Sequence, residues 1–278
     1  MLKFNKLFND EIKVIPNLIG GSIDTRKVKG QQILDLYHNV FLCARKKSGK
    51  TSCIFKIIKE CCNKDTIVVI FCSTIYKDSG WQNIRKYLDM KKIEHIDYTS
   101  IKSDDGVDQL DAIVNELQMD AEQEEKLKSM PVKKEPKKMN LLLCDDEDDL
   151  EITCKRKSKY RVPDYLFIMD DISNELKSKS LIGLLKKNRH FKATCLISSQ
   201  YVLDLDPQSR RQVDSWLIFR GQSIDKLQII YKEANISIPF DEFLEIYKKA
   251  TEIPYSFLNI NTRDDSFKIN FNTLIALK

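Results

Sequence analysis

The octapeptide Ala44-Arg45-Lys46-Lys47-Ser48-Gly49-Lys50-Thr51 constrains this chain more than any other stretch. It follows a short apolar run, Tyr37–Cys43, and opens a segment, Ser52–Cys62, with apolar residues at 53, 54, 57, 58 and 61. That spacing predicts strand, loop and amphipathic helix. In this setting a GxxxxGK[ST] match reads as a phosphate cradle built from backbone N–H groups and a helix N-terminus. Lys50 would neutralise the β- and γ-phosphates of a nucleotide, and the Thr51 hydroxyl would hold Mg²⁺. Gly49 lets the backbone approach closely. Ala44 stands where the motif has its first glycine; a small residue still allows the turn, although alanine tolerates positive φ poorly.

The pattern then alternates. Thr66–Ser73 is rich in β-branched residues, as a strand buried on both faces requires. A helix with Trp81, Ile84 and Leu88 on its apolar stripe, a strand over Glu94–Thr99 and a helix over Val107–Met119 follow. Residues 120–160 carry blocks of like charge such as Asp145–Asp149, the mark of a solvated insertion. Within it, Leu141–Cys144 and Glu151–Cys154 could pair as a small hairpin. Alternation resumes with strands over Asp164–Asp170, Ala193–Ser198 and Ser215–Arg220. Helices are predicted over Asn174–Asn188, Asp206–Val213, Ile224–Ala234 and Phe240–Thr251, and a closing hairpin over Tyr255–Thr262 and Phe267–Phe271. Repeated βα units predict a mostly parallel sheet with helices on both faces. The expected organisation is an irregular leader, 1–36, and one α/β domain, 37–278, interrupted by the insertion.

Composition excludes several classes. The 46 basic and 41 acidic side chains leave a net charge of +5, too small to prove a nucleic-acid partner by itself. The longest apolar stretch, Ile67–Cys72, falls far short of the roughly 20 residues of a membrane helix. Residues 1–8 have no continuous hydrophobic region, so no secretory signal is expected. The eight cysteines contain no CxxC, and His38, His95 and His190 lie far apart, so reduced buried thiols are expected rather than a zinc site.

Tyr165-Leu166-Phe167-Ile168-Met169 runs into Asp170-Asp171, which puts two carboxylates at the C-terminal edge of a parallel sheet, where ligands bind in open α/β folds. Asp170 would anchor Mg²⁺, usually through water. Asp171 would act as general base on the attacking water. The bland alternative is that Asp171 caps the next helix; Glu175 is the second-choice base. The strand over Ala193–Ser198 delivers Gln200 to the same edge, as a γ-phosphate sensor or as a loop amide satisfying backbone groups. Arg210, then Arg211, then Arg220 are the arginines that could reach a neighbouring subunit's nucleotide, with structural ion pairs as the alternative. Lys186-Lys187-Asn188-Arg189-His190 closes a helix with cations, through helix-end electrostatics or phosphate contacts with DNA.

Taken together, ARKKSGKT (44–51), YLFIMDD (165–171), CLISSQ (195–200) and SRRQVDSWLIFRG (209–221) resemble the genome-packaging ATPases of eukaryotic DNA viruses. This is the poxvirus, giant-virus, virophage and Maverick group of the FtsK–HerA superfamily. Ser73-Thr74 with Trp81, and LLKKNRHFK (184–192), are similar to that group too. The resemblance covers about residues 40–234. It implies a RecA-like P-loop NTPase that uses ATP and Mg²⁺, assembles as a homo-oligomeric ring, hydrolyses ATP at subunit interfaces and threads double-stranded DNA into a preformed capsid. Lys50, Thr51, Asp170, Asp171 and Gln200 carry over to the family's functional positions, with Arg210 or Arg211 acting in trans. A capsid or portal-vertex partner, and a place in the host cytoplasm (a viral factory) or the virion, are implied with it. Another DNA translocase or helicase, or a non-hydrolysing nucleotide-binding scaffold, would share these motifs. A GTPase is disfavoured because Asn63-Lys64-Asp65 places its aspartate one position early and before a strand. A small-substrate kinase would need an arginine-rich lid that the motifs do not predict.

Overall fold

The computed structural model describes residues 25–129 and 158–276. Six strands run parallel: β1 (Asn39–Cys43), β2 (Ile67–Cys72), β3 (His95–Tyr98), β4 (Tyr165–Asp170), β5 (Ala193–Ser199) and β6 (Ser215–Phe219). Three more, β7 (Phe257–Asn261), β8 (Ser266–Ile269) and β9 (Thr273–Ile275), extend the sheet antiparallel from β6. The order is β3-β2-β4-β5-β1-β6-β7-β8-β9. The expected α/β architecture, a mostly parallel central sheet flanked by helices, is therefore the one observed.

The continuous apolar runs of the parallel strands are explained by helices on both sides. Successive side chains of a strand face opposite ways, so Phe41, Val69, Phe71, Phe167, Cys195 and Trp216 fall into one core. Helices α3 (Gln109–Ser129), α4 (Lys179–Lys187), α6 (Ile224–Glu233) and α7 (Phe240–Ala250) contribute to it through Leu110, Leu184, Ile230 and Phe243. The alternate residues Val40, Leu42, Val68, Ile70, Ile168 and Leu217 meet α1 (Lys50–Cys61) and α2 (Ser79–Lys91) through Ile54, Ile57, Trp81 and Leu88. A one-turn helix, α5 (Pro207–Arg210), leads into β6. Residues of the expected leader join this scaffold: Ile33 and Leu34 are buried, and Lys29 N–H donates to the Arg161 carbonyl.

The helix expected over Asp206–Val213 is only the single turn Pro207–Arg210, and three further elements differ from expectation, each for a local reason. Helix α3 continues to Ser129 instead of ending at Met119, because residues 120–129 are mostly Ala, Glu, Gln, Lys and Leu, all strong helix formers. The helix expected over Asn174–Asn188 is broken into a 3₁₀ turn, Ser173–Glu175, and α4. Ser178 adopts extended backbone there and accepts from Leu181 N–H at 3.3 Å, starting α4 anew. Strand β9 is short and largely exposed, so it leaves no alternating signature. The expected hairpin of Leu141–Cys144 with Glu151–Cys154 lies outside the described residues.

Cys43, Cys53, Cys61, Cys62, Cys72 and Cys195 are buried free thiols. Burial pushes the Cys43 and Cys53 thiols up to about 12, which keeps them protonated and inert. No group of three or more His, Cys, Asp or Glu suited to a metal occurs among the described residues. No described helix is long and apolar enough to cross a membrane.

Candidate functional site

The strand order decides which loops meet. Strand β5 lies between β1 and β4, so Gln200 emerges between the phosphate loop and the acidic pair. Register aligns Cys43 with Ser199, and Asp170 with Ser198 and Cys72. A cleft of about 540 Å³ opens at this edge, lined by all of Ala44–Ser52 and by Lys77, Trp81, Asp170, Asp171 and Gln200. The structure thus gathers the eight loop residues, both aspartates and the glutamine into one place.

The loop itself removes the concern raised by Ala44. The left-handed residues are Lys47 (φ 61°) and Gly49 (φ 93°), and Ala44 is not among the positive-φ positions. Ala44 is buried and continues the sheet, donating its N–H to the Ser199 carbonyl at 3.0 Å. The preceding Cys43 carbonyl accepts from Gln222 Nε2 at 3.4 Å, so the start of the loop is held by the end of β5 and by the segment after β6. Arg45, Lys46 and Lys47 are exposed at the mouth. Ser48 Oγ is buried with no hydrogen-bond partner among the described residues, which leaves it free for a phosphate oxygen.

Lys50 Nζ sits 2.7 Å from Asp170 Oδ1, whose side chain is only 3% exposed. Trp81 Nε1 donates to the other oxygen, Oδ2, at 3.1 Å. Asp171 is exposed and adopts φ 57°, a left-handed backbone that aspartate tolerates better than most residues. Its carbonyl accepts from Ser73 Oγ at 2.9 Å, which ties the loop after β4 to the loop after β2. Positive φ at a non-glycine residue in a cleft is the kind of local strain that clusters at functional sites. The donor set suits Mg²⁺: hard oxygens from Thr51 and Asp170 beside a phosphate cradle, since this ion usually takes one or two protein ligands plus phosphates and water.

Other residues singled out from sequence are used differently. Glu175 is no free base: its carboxylate accepts from Ser100 Oγ at 2.9 and 3.0 Å, from Ile101 N–H, and from Lys102 N–H at 3.2 Å. It caps the loop after β3. Arg210 is 8% exposed, donates through Nη1 to the Leu205 carbonyl at 2.6 Å, and pairs through Nε with Glu233 at 3.0 Å. Its guanidinium is committed within its own chain. Arg211 and Arg220 are exposed. Arg220 follows β6 at the cleft edge of the sheet, whereas Arg211 precedes that strand at the opposite edge. Of the basic helix end, Lys186 donates to Gln208 at 2.8 Å and Lys187 to Gln118 at 2.8 Å.

No protein-family model matches the chain. A curated relative, uncharacterized protein 075L of Invertebrate iridescent virus 6, is 30% identical over 131 residues. That match covers 43% of this chain, and the chain spans about half (51%) of the relative's length. Among solved structures, the genome-packaging NTPase B204 of Sulfolobus turreted icosahedral virus 2, in complex with AMP, superposes with a TM-score of 0.50. The alignment covers 84% of this chain and 96% of B204 at 18% identity. The chain has the fold of a viral genome-packaging NTPase.

On this packaging-NTPase fold, three residues line or brace the cleft in ways that the sequence did not express. Trp81 was legible as part of an apolar stripe and as a point of likeness to the packaging ATPases, but not in its role; its indole N–H is what reaches the site. Gln222 follows Gly221, whose positive φ of 93° turns the chain back against Arg45, and no motif marks it. Tyr255 packs on Gly49, where an added Cβ would stand 3.4 Å from its ring. With Phe257, Phe271 and Asn272 it lines a second, more apolar hollow of about 570 Å³ beside the loop.

Proposed function

We propose that this chain is an ATPase that drives double-stranded DNA into a preformed viral capsid. The observation that carries this reading is the convergence of Lys50, Asp170, Asp171 and Gln200 on one cleft around the phosphate loop. The loop N–H groups and Lys50 would bind the triphosphate, and Ser48 would add a hydroxyl. Bound Mg²⁺, held by Thr51 and Asp170, would supply charge neutralisation on the phosphates. Asp171, exposed at the cleft, would accept the proton of the attacking water. Gln200, on the strand between the two motifs, would orient that water or the γ-phosphate. The aromatic hollow beside Gly49 would receive the nucleobase, since flat rings stack well on tyrosine and phenylalanine.

Ring assembly follows in the same reading, with ATP hydrolysed between copies. Because Arg210 is held by Leu205 and Glu233, the trans-acting role falls to one of the exposed arginines, Arg220, which makes one long bond to the Glu252 carbonyl at 3.4 Å, or Arg211. A capsid or portal-vertex protein would dock the ring, in the viral factory of the host cytoplasm or in the virion. The viral origin of both similar proteins, and the name that B204 bears, support this reading. The second reading is a strand-separating helicase, which the same site chemistry would serve.

A triplex-displacement assay separates them. A packaging motor moves along intact duplex, so ATP should release a triplex-forming oligonucleotide while the two DNA strands remain paired. Release of single strands from that duplex would favour the helicase.

A further inference from the structure

We infer that Trp81 is a positioning residue for the Asp170 carboxylate, an inference that rests on the ATPase reading above. Trp81 lies in the first turn of α2, is 1% exposed, and stands 89 positions from Asp170 in sequence. Its indole N–H is donor-only, so it can neither ligate a cation nor accept a proton. What it can do is pin one oxygen. With Oδ2 tied to Nε1 at 3.1 Å, rotation of the carboxylate is restrained and Oδ1 stays turned to Lys50.

A second observation ties the same turn of α2 to Thr51. Asp78 caps the helix, accepting from Gly80 N–H at 2.7 Å and Trp81 N–H at 3.1 Å, which fixes the entry of the indole. Gly80 lies against the phosphate-loop helix: a Cβ there would stand 3.0 Å from Thr51 Cγ2. One short segment, Asp78–Trp81, therefore buttresses both residues suited to hold the cation. Partners of this kind orient metal ligands, and their loss typically lowers metal affinity or activity about 10- to 100-fold.

The test compares wild type, Trp81→Phe and Trp81→His. Affinity for a non-hydrolysable ATP analogue is measured by calorimetry in EDTA and in Mg²⁺, beside steady-state hydrolysis and thermal melting. For Trp81→Phe the expected result is unchanged affinity in EDTA and a Mg²⁺-dependent gain in affinity reduced about tenfold, with kcat falling more than KM rises. Trp81→His, smaller than phenylalanine but still a donor, should recover part of that gain. A purely packing role predicts the reverse order, because histidine fills the site less well. A full Mg²⁺-dependent gain in Trp81→Phe, or a histidine variant no better than phenylalanine, would overturn the inference while leaving the ATPase reading intact. Wild-type protein without any Mg²⁺-dependent gain or turnover would instead sink the ATPase reading itself.

Discussion

Replacing Lys50 with alanine is expected to abolish productive ATP binding and to lower turnover by at least about a thousandfold, within the range lost when charge stabilisation of phosphoryl transfer is removed. The geometry adds a structural cost. Lys50 is the cation 2.7 Å from the buried Asp170 carboxylate, so truncation leaves that charge with only the Trp81 N–H. Breaking a largely buried pair from one side costs about 3 kcal/mol, and the melting temperature should fall accordingly. The double variant Lys50→Ala/Asp170→Asn separates the two effects. A neutral amide can still accept from Trp81 and no longer needs a cation, so stability should return while ATP binding does not. Calorimetry and thermal melting read the two quantities independently. Recovery of ATP binding in the double variant would show that Lys50 serves the fold and not the phosphates.

Asp171→Asn is the second large effect. Asn adopts left-handed backbone as readily as Asp, so the φ of 57° and the hydrogen bond from Ser73 to the main-chain carbonyl are both retained. The side chain is exposed, and folding and ATP affinity should be unchanged within a factor of two or so. Losing the proton acceptor should lower kcat about 10²- to 10⁴-fold. Wild-type turnover in this variant would remove Asp171 from catalysis. Glu175 could not then inherit the role without giving up its bonds to Ser100, Ile101 and Lys102.

The parts of this architecture that depend on local chemistry were readable from the chain. A phosphate loop between an apolar run and a periodic helix has one sensible placement, and apolar strands ending in Asp170-Asp171 and Gln200 lead to one edge of a parallel sheet. The rest depends on which strands are neighbours. That β5 separates β1 from β4 is a property of the strand order, and it decides that Gln200 stands between the loop and the acids. The contact of Trp81 with Asp170 likewise spans distant elements, so the sequence marked Trp81 by its apolar stripe and its family likeness without expressing the contact. Ala44 looked like a weakness because the motif was read as requiring a left-handed first residue. In this loop Lys47 and Gly49 carry the left-handed backbone instead. Arg210 is the opposite case: its neighbours in sequence suggested a trans-acting residue, whereas its partners in space, Leu205 and Glu233, lie within its own chain.

The most direct test of a DNA-coupled ATPase is ATP hydrolysis with and without double-stranded DNA, at low and moderate salt, beside the Lys50→Ala control. Phosphate contacts weaken steeply as counterions compete. The account predicts turnover that rises with duplex DNA, rises less at moderate salt, and vanishes in the control. Turnover indifferent to DNA at both salts, or surviving the loss of Lys50, would contradict it.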